Sequence, residues 1–147
     1  MFKIHEQFGV RIPFPESWTV ESAADGRWPD AVTLQSPGSA FFTLTTRPPE
    51  ADPAELLART LAALKELYED LEAHPVREEL ADAELRGFDI NFYCLDFLVG
   101  ASLRVFSAHG QEFMVLCQAE DREFDELRPV FQAMTLGVLE PERIAAP

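Results

Sequence analysis

The sequence predicts an α+β fold, a central antiparallel β-sheet flanked by helices. Three observations predict it. Apolar residues alternate with period two in runs that lie before and after one long stretch of helical period. Most of those runs are joined by short turn signals, which make neighbouring strands antiparallel. A second amphipathic stretch closes the chain, so two helices can cover sheet surface.

Size and charge bound the rest. The chain has 147 residues, enough for one domain with a single large core. We place that domain at residues 1–139 and expect a flexible tail over 140–147. Apolar types make up 47% and include twelve Phe, which marks a globular chain. Twelve Lys+Arg stand against 26 Asp+Glu, a net charge of −14. Such a surface repels phosphate backbones and anionic lipid, so nucleic-acid and membrane-surface roles are disfavoured. The acidity fits either a basic partner or plain solubility. No apolar run reaches the roughly 20 residues needed to cross a bilayer, and "MFKIHEQFGV" has no signal-peptide core. The expectation is a cytoplasmic protein without membrane insertion.

The elements follow in order. Phe2, Ile4 and Phe8, then Val10, Ile12 and Phe14, alternate with polar or small residues and predict a hairpin turning near Gln7–Gly9. Proline fits a strand only at an edge or an end, so Pro13 and Pro15 close the second strand. "PES" then turns the chain so that Trp18 and Val20 return to the core. "DAVTLQS" and "AFFTLTTR" are two strands separated by the turn signal "PGS".

Asp52, Pro53 and Glu55 supply an N-cap, a first-turn proline and a capping-box acid. Leu57, Leu61, Leu64, Tyr68 and Leu71 recur at helical spacing behind them. They predict an amphipathic helix of about five turns, ended by His74–Pro75. "VREELADAEL" leads through Arg86–Gly87 into "FDINFYCLDF", with Phe88, Ile90, Phe92 and Cys94 on one face. "ASLRVFSA" and "EFMVLCQA" form a tight hairpin about His109–Gly110. Phe124, Leu127, Phe131 and Met134 predict a closing helix. Pro129 within it implies either a late start capped by Asp125 or a kink.

These residues resemble the Mog/PsbP-like fold group, which includes the DcrB-type domains. The likeness rests on "RIPFPESW" after an opening hairpin, similar to the group's "yPegW" pattern, and on the long capped helix after a Phe-rich strand. Gly87 just before a strand, the hairpin "LRVFSAHGQEFMVLCQA" and the closing helix from Phe124 to Met134 also match. It runs from Phe8 to about Leu136. The resemblance implies an α/β/α sandwich in which the Pro turn and Trp18 are structural. It also implies action by docking other proteins. A sub-branch, the Eag-type chaperones of type six secretion, is similar in size and also opens with a short strand and a "P-x-x-W" turn.

Catalytic signatures are absent from the sequence. Seven Gly form no phosphate-cradling loop. His5, His74 and His109 lie far apart, without metal-ligand spacing. Cys94 and Cys117 continue apolar strand patterns, the usual setting of small buried thiols, and the acidic surroundings oppose a lowered thiol pKa. The carboxylates of "KELYEDLE" and "REELADAE" read as solvated faces. We therefore expect no enzyme, no cofactor and no metal site. The leading function is a non-catalytic protein-binding, adaptor or chaperone-like domain. The alternative is a small-ligand binder or an enzyme using a pocket beside the sheet.

One stretch is a candidate interface. Phe41, Thr43 and Thr45 oppose Phe42 and Leu44 on their strand. Tyr93, Leu95 and Phe97 likewise oppose Ile90, Phe92 and Cys94. Apolar residues on both faces mean helices on both sides, or a face left partly open. The Phe41/Tyr93/Phe97 face therefore either contributes to self-association or partner docking, or lies under the long helix through Leu57, Leu61 and Leu64.

Overall fold

The computed structural model describes residues 1–22 and 30–144. A two-stranded hairpin opens the chain, β1 (Phe2–Gln7) and β2 (Val10–Pro15). The remaining strands form one antiparallel sheet. They are β3 (Thr19–Ser22), β4 (Asp30–Gln35), β5 (Phe41–Arg47), β6 (Glu72–Leu80), β7 (Ala83–Cys94), β8 (Phe97–Ala108) and β9 (Gln111–Glu120). Their order is β3-β4-β5-β9-β8-β7-β6. Helix α1 (Pro53–Leu67) connects β5 to the far edge strand β6, and helix α2 (Asp121–Leu139) follows β9. The fold is α+β, with an antiparallel sheet flanked by helices.

Each sheet face has its own core. Leu64 of α1 packs with Ile90, Phe92, Val99, Leu103 and Met114. On the opposite face Phe124, Phe131, Met134 and Val138 of α2 join Val10, Ile12 and Phe14 of β2, together with Phe42, Phe113 and Val115. The opening hairpin and α2 therefore share one face. They meet closely at Gly137, where a Cβ would lie 2.2 Å from the Arg11 carbonyl oxygen. Trp18 is buried, its backbone N–H donates to Pro15 O at 3.0 Å, and its ring meets Phe131 edge-on at 6.1 Å. The opening Pro-rich stretch is a turn plus a core anchor.

Several elements differ from the sequence reading. Helix α1 ends at Leu67, and Tyr68 is already extended. Tyr68 and Leu71 still reach the α1-side core, Tyr68 stacking on Phe92 with centroids 4.0 Å apart. Their spacing thus imitated about one more helical turn. His74 and Pro75 lie inside β6, an edge strand that tolerates a residue without an N–H. Gly87 sits within β7 and not before it. Helix α2 starts at Asp121, four residues before Asp125, and runs through Pro129. Cys117 is buried as expected, whereas Cys94 is only half-buried. Within the tail, Pro141–Arg143 form a 3-10 turn and Arg11 Nη1 donates to Ile144 O; residues 145–147 lie outside the described residues.

Candidate functional site

Among the described residues four hairpins close on two-residue turns whose residues have positive φ: Phe8–Gly9, Ala81–Asp82, Leu95–Asp96 and His109–Gly110. Such turns match strand twist but favour Asn, Asp or Gly, because a Cβ costs energy in the left-handed region. At each first position an ordinary side chain bears that cost. Phe8 and Ala81 pack against the α2-side core, and His109 Nε2 bonds Val138 O at 2.8 Å. Leu95, φ 49°, has no such compensation: it is 88% exposed. Among these four positions of the described residues it alone presents a large apolar side chain to solvent.

The turn's neighbours extend this apex. Tyr93 is 61% exposed and Phe97 64%. Beside Leu95 and Phe97 lies a cleft of about 360 Å³, also lined by Tyr68, Phe92, Cys94 and Val99, with Gln118 and Glu120 at its β9 wall. Leu67, 72% exposed, stands at the end of α1 just before Tyr68. The end of the sheet at the β7–β8 turn thus combines a lipophilic tip with a shallow, largely apolar cleft.

The structure divides the three interface residues read from sequence. Cys94 pairs with Phe97, and Tyr93 with Leu98. The two-residue turn therefore puts Phe97 on the α1 face with Cys94 and Phe92, and leaves Tyr93 on the α2 face. The expected single Phe41/Tyr93/Phe97 face is corrected accordingly, because a reversal at Leu95–Asp96 resets the period-2 count. Phe41 is half-buried on β5, paired with Gln118, on the same sheet face as Phe97. Leu57, Leu61 and Leu64 cover the Ile90–Phe92–Val99 core but leave Phe97 in solvent, and Tyr93 on the other face is exposed as well. Leu95 and Leu67 were not singled out from sequence as interface residues. A turn reading of "CLDF" would have found Leu95.

A second cavity, about 300 Å³, lies between α2 and the β6–β7 side of the sheet. Its buried cation is Arg104. The guanidinium donates through Nε to Glu78 Oε1 and through Nη2 to Asp89 Oδ1, both at 2.8 Å, and through Nη1 to Phe88 O at 3.0 Å. Burial acts to lower its pKa, but the bonds to Glu78 and Asp89 outweigh burial and raise it. Arg104 therefore stays charged and already has its anionic partners. Cys117 lines the same cavity; burial pushes its thiol far up, against a smaller opposing pull from Arg104, and keeps it protonated. Such a thiol is a poor nucleophile. No three His, Cys, Asp or Glu side chains converge as a metal set among the described residues.

By sequence, no family model and no curated protein matches this chain. By structure, the fold is that of the PsbP-like group. The solution structure of the cyanobacterial PsbP, CyanoP, from Synechocystis sp. PCC 6803 superposes with a TM-score of 0.65 at 9% identity. The match covers 92% of this chain and 90% of that one. The crystal structure of the protein of unknown function PA94 from Pseudomonas aeruginosa gives 0.51 at 9% identity, over 99% and 98% of the two chains. At these identities the likeness establishes fold alone. No helix among the described residues is long and apolar enough to cross a membrane.

Proposed function

We propose that this chain is a non-catalytic protein-docking module whose contact surface is the β7–β8 apex. The observation that carries the reading is Leu95: a leucine 88% exposed, in a left-handed turn position where Asn or Gly would be less strained. Both its exposure and its conformation act against folding stability. Tyr93 and Phe97 supply the aromatic side chains that commonly anchor interfaces. The flanking cleft is shallow and apolar, suited to an inserted side chain. The Arg104 cavity supports a ligand or enzyme reading less well, since its cation is already bonded and its thiol is protonated.

The test is paired capture from the native organism with wild-type protein and the double variant Leu95→Asn/Phe97→Thr. The variant should fold at least as well, because Asn suits the turn and Thr suits a strand. A protein retained by the wild type in stoichiometric amount and lost with the variant is the expected result. Identical retention by both would end the apex reading.

A further inference from the structure

The apex is ringed by carboxylates. Asp96 lies in the turn itself, and Glu120, which pairs with Val99, lines the cleft two positions from Phe97 on the neighbouring strand. Glu69 and Asp70 directly follow Tyr68, whose ring stacks on Phe92 in the cleft. Glu72, the first residue of β6, pairs with Asn91, two positions from Tyr93 on β7. Among the described residues none of Glu69, Asp70, Asp96 and Glu120 has an ion pair, although other surface acids such as Glu55, Asp125 and Glu140 do. Glu72 has only His74, at 3.8 Å. The whole chain carries a net charge of −14.

We infer that the occupant of the apex is a basic amphipathic protein segment, which seats apolar side chains on Leu95, Phe97 and the cleft beside them and sets Lys or Arg against this rim. The inference rests on the docking reading above and adds the partner's chemistry. Charge decides between occupants. A second copy would bring an identical acidic rim against this one, and like charges facing across an interface oppose association. An anionic membrane is repelled in the same way. A cationic segment gains from both features: apolar burial at the centre and charge attraction at the edge, which speeds encounter and weakens with salt.

The test uses three synthetic amphipathic helices of one pattern, Leu/Lys, Leu/Gln and Leu/Glu, titrated against the full chain. Two variants accompany the wild type. The apex variant is Leu95→Asn/Phe97→Thr. The rim variant is Glu69→Gln/Asp70→Asn/Asp96→Asn/Glu120→Gln, in which Asn suits the positive φ of residues 70 and 96. The expected result is that the Leu/Lys helix binds most tightly and loses affinity as salt is added. The apex variant should abolish that binding, and the rim variant should weaken it about tenfold at low salt. Equal binding of all three helices, lost in the apex variant, would overturn the basic-partner inference and leave the docking reading standing. Binding of the Leu/Lys helix that the apex variant keeps would overturn both, since charge alone would then account for it. If no helix binds, but the wild type self-associates or adsorbs to phosphatidylcholine vesicles through Leu95, the occupant is a second copy or lipid and the inference fails. No binding to any of these also overturns it.

Discussion

Gly87 lies directly opposite Arg104 in the β7–β8 register, and a Cβ at Gly87 would sit 1.8 Å from the Leu103 carbonyl oxygen and 3.1 Å from Arg104 Cα. The missing side chain lets β8 approach β7 closely. It also leaves room for Arg104 to cross β7 and reach Glu78 on the edge strand β6. Gly87→Ala should therefore cost about 3 kcal/mol or more, since backbone and not a flexible side chain must yield. Arg104→Ala should cost less than the roughly 3–5 kcal/mol of breaking a fully buried pair, because Glu78 and Asp89 are half-exposed and can hydrate. Chemical denaturation measures both. Amide exchange should quicken first in β6, which loses its side-chain tie to the sheet; unchanged β6 protection in the Arg104 variant would refute that role.

Trp18 should be one of the costliest truncations. It is buried against Phe131 and held by the turn from Pro15. Trp18→Ala removes a large side chain that α2 cannot follow without moving, and we expect a loss of roughly 3–5 kcal/mol in denaturant melts. A folded variant losing under about 1 kcal/mol would show that the indole does not anchor the core.

The two thiols should separate. Cys117 is buried with its thiol held protonated, so a thiol reagent should reach it only after unfolding. Cys94 is half-buried in the wall of the apex cleft and should label in the native state. Mass spectrometry after a timed pulse would tell them apart. Equal rates would contradict the placement of β7 and β9, and protection of Cys94 by a bound partner would map docking to the cleft.

Stability should fall in acid through Glu123. Its Oε1 accepts from Ser36 Oγ at 3.0 Å, while its Oε2 accepts from the Ser39 N–H at 3.1 Å and Ser39 Oγ at 2.8 Å. Burial acts to raise its pKa, but the bonds from Ser39, Ser36 and Ala40 outweigh it and lower the value. A lowered folded-state pKa means the unfolded chain binds the proton more readily. The contribution is complete above the ordinary Glu value of about 4.3 and disappears as pH falls through the lowered one. Glu123→Gln should therefore be less stable than wild type at neutral pH, with the gap closing in acid. A gap independent of pH would show that the charge on Glu123 is not what the Ser36–Ser39 turn recognises.

Local rules and the tertiary structure divide this protein between them. Residues that act on their near neighbours were legible in the sequence. The opening hairpin, the Asp52–Pro53 helix start, the turn at His109–Gly110 and the burial of Trp18 all depend on dihedral preferences and on period within a few residues. The α+β class followed from those periods taken together. Only the tertiary structure decided where helix α1 stops, because Tyr68 and Leu71 bury against Phe92 and its neighbours whether the chain coils or extends. It also decided that Phe97 turns to the face of Cys94 while Tyr93 stays behind, since one two-residue reversal flips every position after it. The bonding of Arg104 to Glu78, 26 residues away, required β6 and β7 to be laid side by side. The apex shows the limit most plainly. A turn reading finds Leu95, but the exposure of Phe97 beside it depends on how far α1 covers its face of the sheet, and that is set by packing between distant residues.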